Sequence, residues 1–218
     1  MIDKDHRITH KKKKSITSSN QQHNFTLDQA YWNTRWEKGE TGWDIGYAAP
    51  AIMEYMAQYP DKNAAILIPG CGNAYEAVWL IEAGFKNVFL LDIAEIPLRR
   101  FHENHPGFPE TNIIQGDFFQ HHERYDLVME QTFFCALDPA LRPDYARHLN
   151  EVLAPKGRMA GLLFGVEFTE HGPPFGGTES EYRMLFEHHF DIIHLEPCTE
   201  SIPPRAGREL FIEITSRS

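Results

Sequence analysis

At 218 residues, 42% hydrophobic and 24% charged, the chain is sized for one globular domain with a full core, and no run approaches the roughly 18 apolar residues of a membrane span. Cys71, Cys135 and Cys198 are odd in number and never form a Cys-x-x-Cys pair, which argues against a disulfide framework or a zinc site and for a reducing, cytoplasmic setting. The formal charge of -10 is uneven: residues 1–24 hold six Lys/Arg against two Asp/Glu, so the remainder carries -14 and is expected to repel nucleic acid.

The polar, charged stretch 1–24, with the run Lys11 to Lys14, reads as a disordered basic tail or as an arm for a polyanion. From Thr26 the pattern turns helical: "TLDQAYWNTRWEKGE" predicts a helix over 27–38 stopped by Gly39. Past a loop containing Trp43, Pro50 suits a first helical turn and opens a second helix running to Tyr59. Strands and helices then alternate. Strand 64–69, helix 74–83, strand 87–92, helix 94–104, strands 112–115 and 125–131, helix 142–153 and strand 157–164 predict an α/β fold, a parallel sheet with helices on both faces. The runs "FDIIHLEP" and "RELFIEIT", separated by Pro-Pro-Arg-Ala-Gly, predict an antiparallel pair at the end of the sheet.

The segment "AILIPGCGNAY" is a strand entering a glycine turn that opens a helix. In nucleotide-binding units of this kind, glycines let backbone N–H groups approach the ligand, and an acid about 20 positions on holds the ribose hydroxyls. Asp92 lies 20 residues after Gly72. A dinucleotide site would want glycine at position 75, where Tyr75 stands. S-adenosylmethionine has ribose and adenine but no pyrophosphate, and its sulfonium cation suits aromatic faces. After the third strand, Asp117 and Phe118 can meet the amino group and the ring of adenine, or can simply form a turn with buried phenylalanines. Trp32 and Trp36 stand one helical turn apart and face either one ligand or the core. The pairs His121-His122 and His188-His189 lack the carboxylate spacing of a metal site.

Together, "YWNTRWEKGETGWDIGYAAP", "LIPGCGNAYEAVWL", "YDLVMEQTFFCALDPALRPDYA" and "HGPPFGG" resemble the thiopurine S-methyltransferase family, and within it the halide/thiol methyltransferases, from about Tyr31 to the C-terminus. The resemblance implies a class I methyltransferase domain over 25–218. Its fold is Rossmann-like: seven strands, mainly parallel with the last antiparallel, under an N-terminal helical cover. It implies S-adenosyl-L-methionine as methyl donor and S-adenosyl-L-homocysteine as product. Carried over residue by residue, the donor site falls on Trp32, Trp36, Trp43, Gly70, Cys71, Gly72, Asp92, Ile93, Asp117, Phe118 and Gln131. The acceptor side falls on Arg142 and Phe175, and Phe175 replaces a tyrosine of the halide/thiol relatives, which favours thiols over halides; Phe133, Phe134 and Cys135, following the fourth strand, either line the acceptor pocket or pack in the core.

A halide or thiolate needs no proton removed as it attacks, so positioning and desolvation supply the rate and no catalytic residue or metal is expected. The expected partners are a small-molecule thiol, hydrosulfide, halide or thiopurine acceptor, without nucleic acid or membrane, and the protein is expected to be a monomer. A nicotinamide oxidoreductase is disfavoured by Tyr75, and a nucleic-acid methyltransferase by the missing Asn-Pro-Pro-Tyr motif and the acidic body. A non-catalytic cofactor sensor remains the alternative to an enzyme.

Overall fold

The computed structural model describes residues 26–169 and 172–217, so the tail 1–24 and His171 of "HGPPFGG" lie outside the described residues. The elements are α1 (Gln29–Lys38), α2 (Pro50–Ala57), β1 (Ala65–Pro69), α3 (Tyr75–Glu82), β2 (Asn87–Asp92), α4 (Glu95–Asn104), β3 (Ile113–Gln115), β4 (Tyr125–Gln131), α5 (Arg142–Val152), β5 (Leu153–Phe164), α6 (Glu179–Phe186), β6 (Phe190–Pro197) and β7 (Glu209–Ser216).

The strands form one seven-stranded sheet in the order β3-β2-β1-β4-β5-β7-β6. The pairs from β3 to β5 are parallel, whereas β7 runs antiparallel to both β5 and β6. The expected antiparallel pair at the end of the sheet is present. Because β1 feeds β2 on one side and neighbours β4 on the other, the strand order reverses between β1 and β4, which is where open α/β sheets bind ligands.

Side chains alternating along the strands divide the core into two layers. Ile66, Ile68, Leu90 and Leu127 pack under α2, α3 and α4, and Leu67, Leu91, Val128 and Ile212 pack under α5 and α6. Helix α1 covers neither face. Its Trp36 packs with Ala94 and Ile96 at the start of α4, beyond the carboxyl ends of the strands.

Two local differences from the sequence reading have physical causes. Strand β5 begins at Leu153, because a register shift between Tyr125 and Leu127 lets the chain pass Lys156 at φ 63 and resume pairing at Arg158. Helix α6, which the strand-helix alternation does not predict, is opened by a reciprocal capping box between Thr178 and Glu181, whose Thr-x-x-Glu signature stands in the sequence.

Candidate active site

At the end of β1 the chain turns through Gly70 at φ 58 and Gly72 at φ 52, a region that side chains rarely tolerate. A Cβ at Gly70 would lie 2.5 Å from Cδ2 of Phe133, and one at Gly72 3.2 Å from the Trp36 ring. The Gly72 N–H donates to Asp92 Oδ2 at 2.9 Å and the Ala94 N–H to Asp92 Oδ1 at 2.8 Å, tying the glycine turn to the end of β2. Asp92 is only 8% exposed, and burial pushes its carboxyl up to about 6, while the backbone N–H groups of Ala94, Gly72 and Ile93 pull the other way.

Beside it, Asp117 caps the short turn 118–120 by accepting from the Phe119 N–H at 3.0 Å. Phe118 is wedged against Phe133, Tyr145 and His148, with ring centroids 5.0–5.5 Å apart. Gly70, Gly72, Asp92, Ile93, Asp117 and Phe118 all line one cavity of about 1030 Å³.

Trp32, Trp36 and Trp43 roof that cavity. Trp43 meets the other two rings edge-on, at 5.5 Å and 84° for Trp32 and 5.8 Å and 83° for Trp36. The roof is pinned from several directions. Asn33 Oδ1 accepts from the Glu95 N–H at 3.0 Å, capping α4, whose own N-cap Ala94 has no side chain to do so. Asp44 accepts from Asn73 and from the Tyr75 hydroxyl at 3.4 Å, and Glu76 accepts from the Ala49 N–H at 3.0 Å. Tyr75, out of place in a dinucleotide turn, thus fastens the roof to the start of α3.

The other end of the cavity is walled by Cys135, Phe164, Phe168, Pro173, Pro174 and Arg205. Buried Glu130 shapes this end. Its Oε1 accepts from the Phe133 and Phe134 N–H groups at 2.9 and 2.8 Å, its Oε2 accepts from the Tyr145 hydroxyl at 3.0 Å, and burial raises its carboxyl to about 7. The Cys135 thiol is driven well above its ordinary range by burial, then by the nearby Glu130 charge, so it is no nucleophile near neutral pH.

Five of the expected site residues stand off the cavity wall. Arg142 turns away from it to donate to the Gly176 carbonyl at 2.8 Å, with its guanidinium over the Phe134 and Tyr182 rings. Phe134 is 1% exposed in the core. Phe175 meets the Cys135 carbonyl through its backbone N–H at 2.7 Å and is not among the residues of the cavity wall. Cys71 packs its side chain in the core under α3. Gln131 stands at the end of β4 with Oε1 buried and without a hydrogen-bond partner among the described residues.

The buried cation that faces the cavity, among the described residues, is Arg205, in the connection between β6 and β7. It is 8% exposed, donates from Nη2 to the Trp43 carbonyl at 2.8 Å, pairs with Glu209 at 3.4 Å and lies over Phe164. Arg208, exposed and over the Phe168 ring, stands at the same end. Sequence reading treated Pro-Pro-Arg-Ala-Gly as a spacer. Only the pairing with Glu209 is local to Arg205; the Trp43 carbonyl and the Phe164 ring that fix its place at the cavity come from elsewhere in the chain.

The arrangement fits S-adenosylmethionine. It offers a side-chain-free cradle, a buried carboxylate with spare lone pairs, a flat apolar slot at Phe118 and Ile93, and aromatic edges and faces for a sulfonium. Comparison with known proteins agrees. The thiopurine S-methyltransferase (TPMT) family matches residues 27–212. A probable thiol methyltransferase 2 of Arabidopsis thaliana is 31% identical over 184 residues, 82% of this chain and 81% of its own. Thiocyanate methyltransferase 1 of Brassica oleracea is 30% identical over 84% of both chains. Among solved structures, the Burkholderia thailandensis 1,6-didemethyltoxoflavin N1-methyltransferase, crystallised with S-adenosylhomocysteine, superposes with a TM-score of 0.69 over 87% of each chain at 17% identity.

Proposed function

Because the chain belongs to the thiopurine S-methyltransferase family and is an S-adenosylmethionine-dependent methyltransferase, we propose that it methylates a small soft nucleophile, a thiol or hydrosulfide ahead of a halide, at the end of the cavity walled by Phe164, Phe168 and Arg205. The observation that carries this reading is a chamber end walled by Phe164, Phe168, Pro173 and Pro174 whose one buried cation, among the described residues, is Arg205. A thiolate gains from the guanidinium and from the loss of its water shell, and it needs no proton taken from it.

When bound, S-adenosylmethionine supplies an electrophilic methyl group on a cationic sulfur. In the proposed assignment Asp92 accepts the ribose hydroxyls. Asp117 and Phe118 hold the adenine, and Trp32, Trp36 and Trp43 exclude water above the reacting atoms. The backbone at Gly70 and Gly72 receives the amino-acid end. Catalysis on this reading is alignment and desolvation. The aromatic pair Phe164 and Phe168, 5.0 Å apart and edge-on, also favours aryl thiols and thiopurines as larger acceptors.

The same proposal has residues 25–218 acting as one catalytic domain, as a monomer in the cytoplasm, on free small molecules and not on nucleic acid. No described helix is long and apolar enough to cross a membrane. The test is S-adenosylhomocysteine release with iodide, thiocyanate, hydrosulfide, thiophenol and a thiopurine, each against a no-acceptor blank. Turnover on a sulfur acceptor at least tenfold above the blank supports the proposal. A flat panel with the product still bound in calorimetry would favour a sensor instead.

A further inference from the structure

Roof and chamber meet at one side chain. The other side-chain hydrogen bonds that fasten the roof, from Asn33, Asp44 and Glu76, run to the glycine turn, α3 and α4, all on the donor side. From the acceptor end, among the described residues, the roof receives one hydrogen bond, from Arg205 Nη2 to the carbonyl of Trp43, the tryptophan that both other roof rings touch.

Arg205 is held loosely for a buried arginine. Its contact to Glu209 is long at 3.4 Å, and the second Glu209 oxygen, Oε2, is buried with no hydrogen-bond partner. Its remaining N–H groups have no protein acceptor among the described residues, and the residue lines the chamber. An anion there would take those N–H groups and fix the plane of the guanidinium that also donates to Trp43.

We propose that Arg205 thermodynamically couples the two halves of the site: a soft anion in the acceptor chamber tightens the tryptophan roof over the donor, and a closed roof tightens the anion. The inference rests on the anionic-acceptor reading above. In it Arg205 is a positioning residue for the donor, acting through the Trp43 backbone. Binding free energies being reciprocal, the factor by which the anion strengthens donor-site binding must equal the factor in the other direction. Early methyl-donor loss would then be limited, because the roof closes fully only when a nucleophile is in place.

The experiment is calorimetric titration of S-adenosylhomocysteine, which cannot turn over, into the full chain with and without saturating thiocyanate. Wild type is expected to bind it about fivefold or more tightly with thiocyanate present. In Arg205→Lys, which keeps the charge but loses the planar fork, the factor falls toward one. A wild-type factor of one, with thiocyanate still methylated, overturns the coupling and leaves the function standing. The same factor in Arg205→Lys as in wild type also overturns it. If neither thiocyanate nor any acceptor of the panel is bound or methylated, the functional reading falls and the coupling with it. Should Arg205→Lys fail to fold, Glu209→Gln carries the test. It leaves the Trp43 bond in place and removes the competing carboxylate, so the factor rises, and an unchanged factor overturns the proposal.

Discussion

Asp92 does two things with one carboxylate: it holds the glycine turn through the Gly72 N–H and, in the proposed role, receives the ribose. Its carboxyl titrates near 6 because burial disfavours the charged form. The ionised form is the one that accepts hydroxyl donors, so affinity for S-adenosylhomocysteine is expected to hold above pH 6 and to weaken about tenfold per pH unit below it, measured by calorimetry. Asp92→Ala should abolish binding; an unchanged titration would remove Asp92 from the site. Glu130, raised to about 7, acts on stability instead. With its folded value above its unfolded one, the folded state holds the extra proton, so this group favours folding at low pH and loses that contribution as pH rises through 7. Glu130→Gln keeps acceptors for Phe133 and Phe134 and should flatten the decline in urea stability between pH 4.5 and 7.5, by up to about 3 kcal/mol. At this scale the sequence was readable where a residue's role follows from its distance along the chain, as Asp92 from Gly72. It was unreadable where the role depends on a remote backbone atom, as for Arg205 and the Trp43 carbonyl. Arg142, placed near the acceptor by resemblance, donates through Nη2 to the Gly176 carbonyl, a partner 34 residues away, and its guanidinium lies over the Phe134 and Tyr182 rings. Arg142→Ala is therefore expected to lower the melting temperature more than it changes the acceptor KM.

Among the elements, α1 and the loop after it depend on docking more than on their own propensity. Asn33→Ala removes the one side chain that, among the described residues, bonds the Glu95 and Ile96 N–H groups of α4, and should cost about 1 kcal/mol in chemical denaturation while weakening S-adenosylhomocysteine binding. Gly70→Ala drives a Cβ to 2.5 Å from Phe133 at a positive φ, and should abolish donor binding even if the variant folds. The alternation of strands and helices, legible from periodicity alone, matches the sheet from β1 to β5. The ends of elements were less legible, since the bulge at Lys156 lengthens β5 through pairing with β4, which no local pattern encodes. Tyr75 shows the opposite case: an apparent defect in a nucleotide fingerprint becomes sensible once its hydroxyl is seen at Asp44.

For the whole molecule, the cavity lies at the reversal of strand order, and the basic stretch 1–24 precedes every described element that walls it. Removal of residues 1–24 is expected to leave kcat/KM for the best acceptor within about twofold, measured by product release; a tenfold loss would bring the tail into the catalytic domain.

The roof also has a consequence for how the protein assembles. It is made from the first described residues, yet its anchors lie far along the chain: Asn33 bonds 62 residues on, and the Trp43 carbonyl waits for an arginine 162 residues later. Contacts of such long range close late, because the intervening loop entropy must first be overcome. During synthesis the tryptophan segment precedes all of its anchors, and the last of them, Arg205, is made only with the β6–β7 connection. Three of the four tryptophans sit in that segment, so in refolding their fluorescence should settle after the far-ultraviolet dichroism of the sheet and helices has recovered. Addition of S-adenosylhomocysteine should sharpen that last phase, the ligand site being the final part of the fold to form.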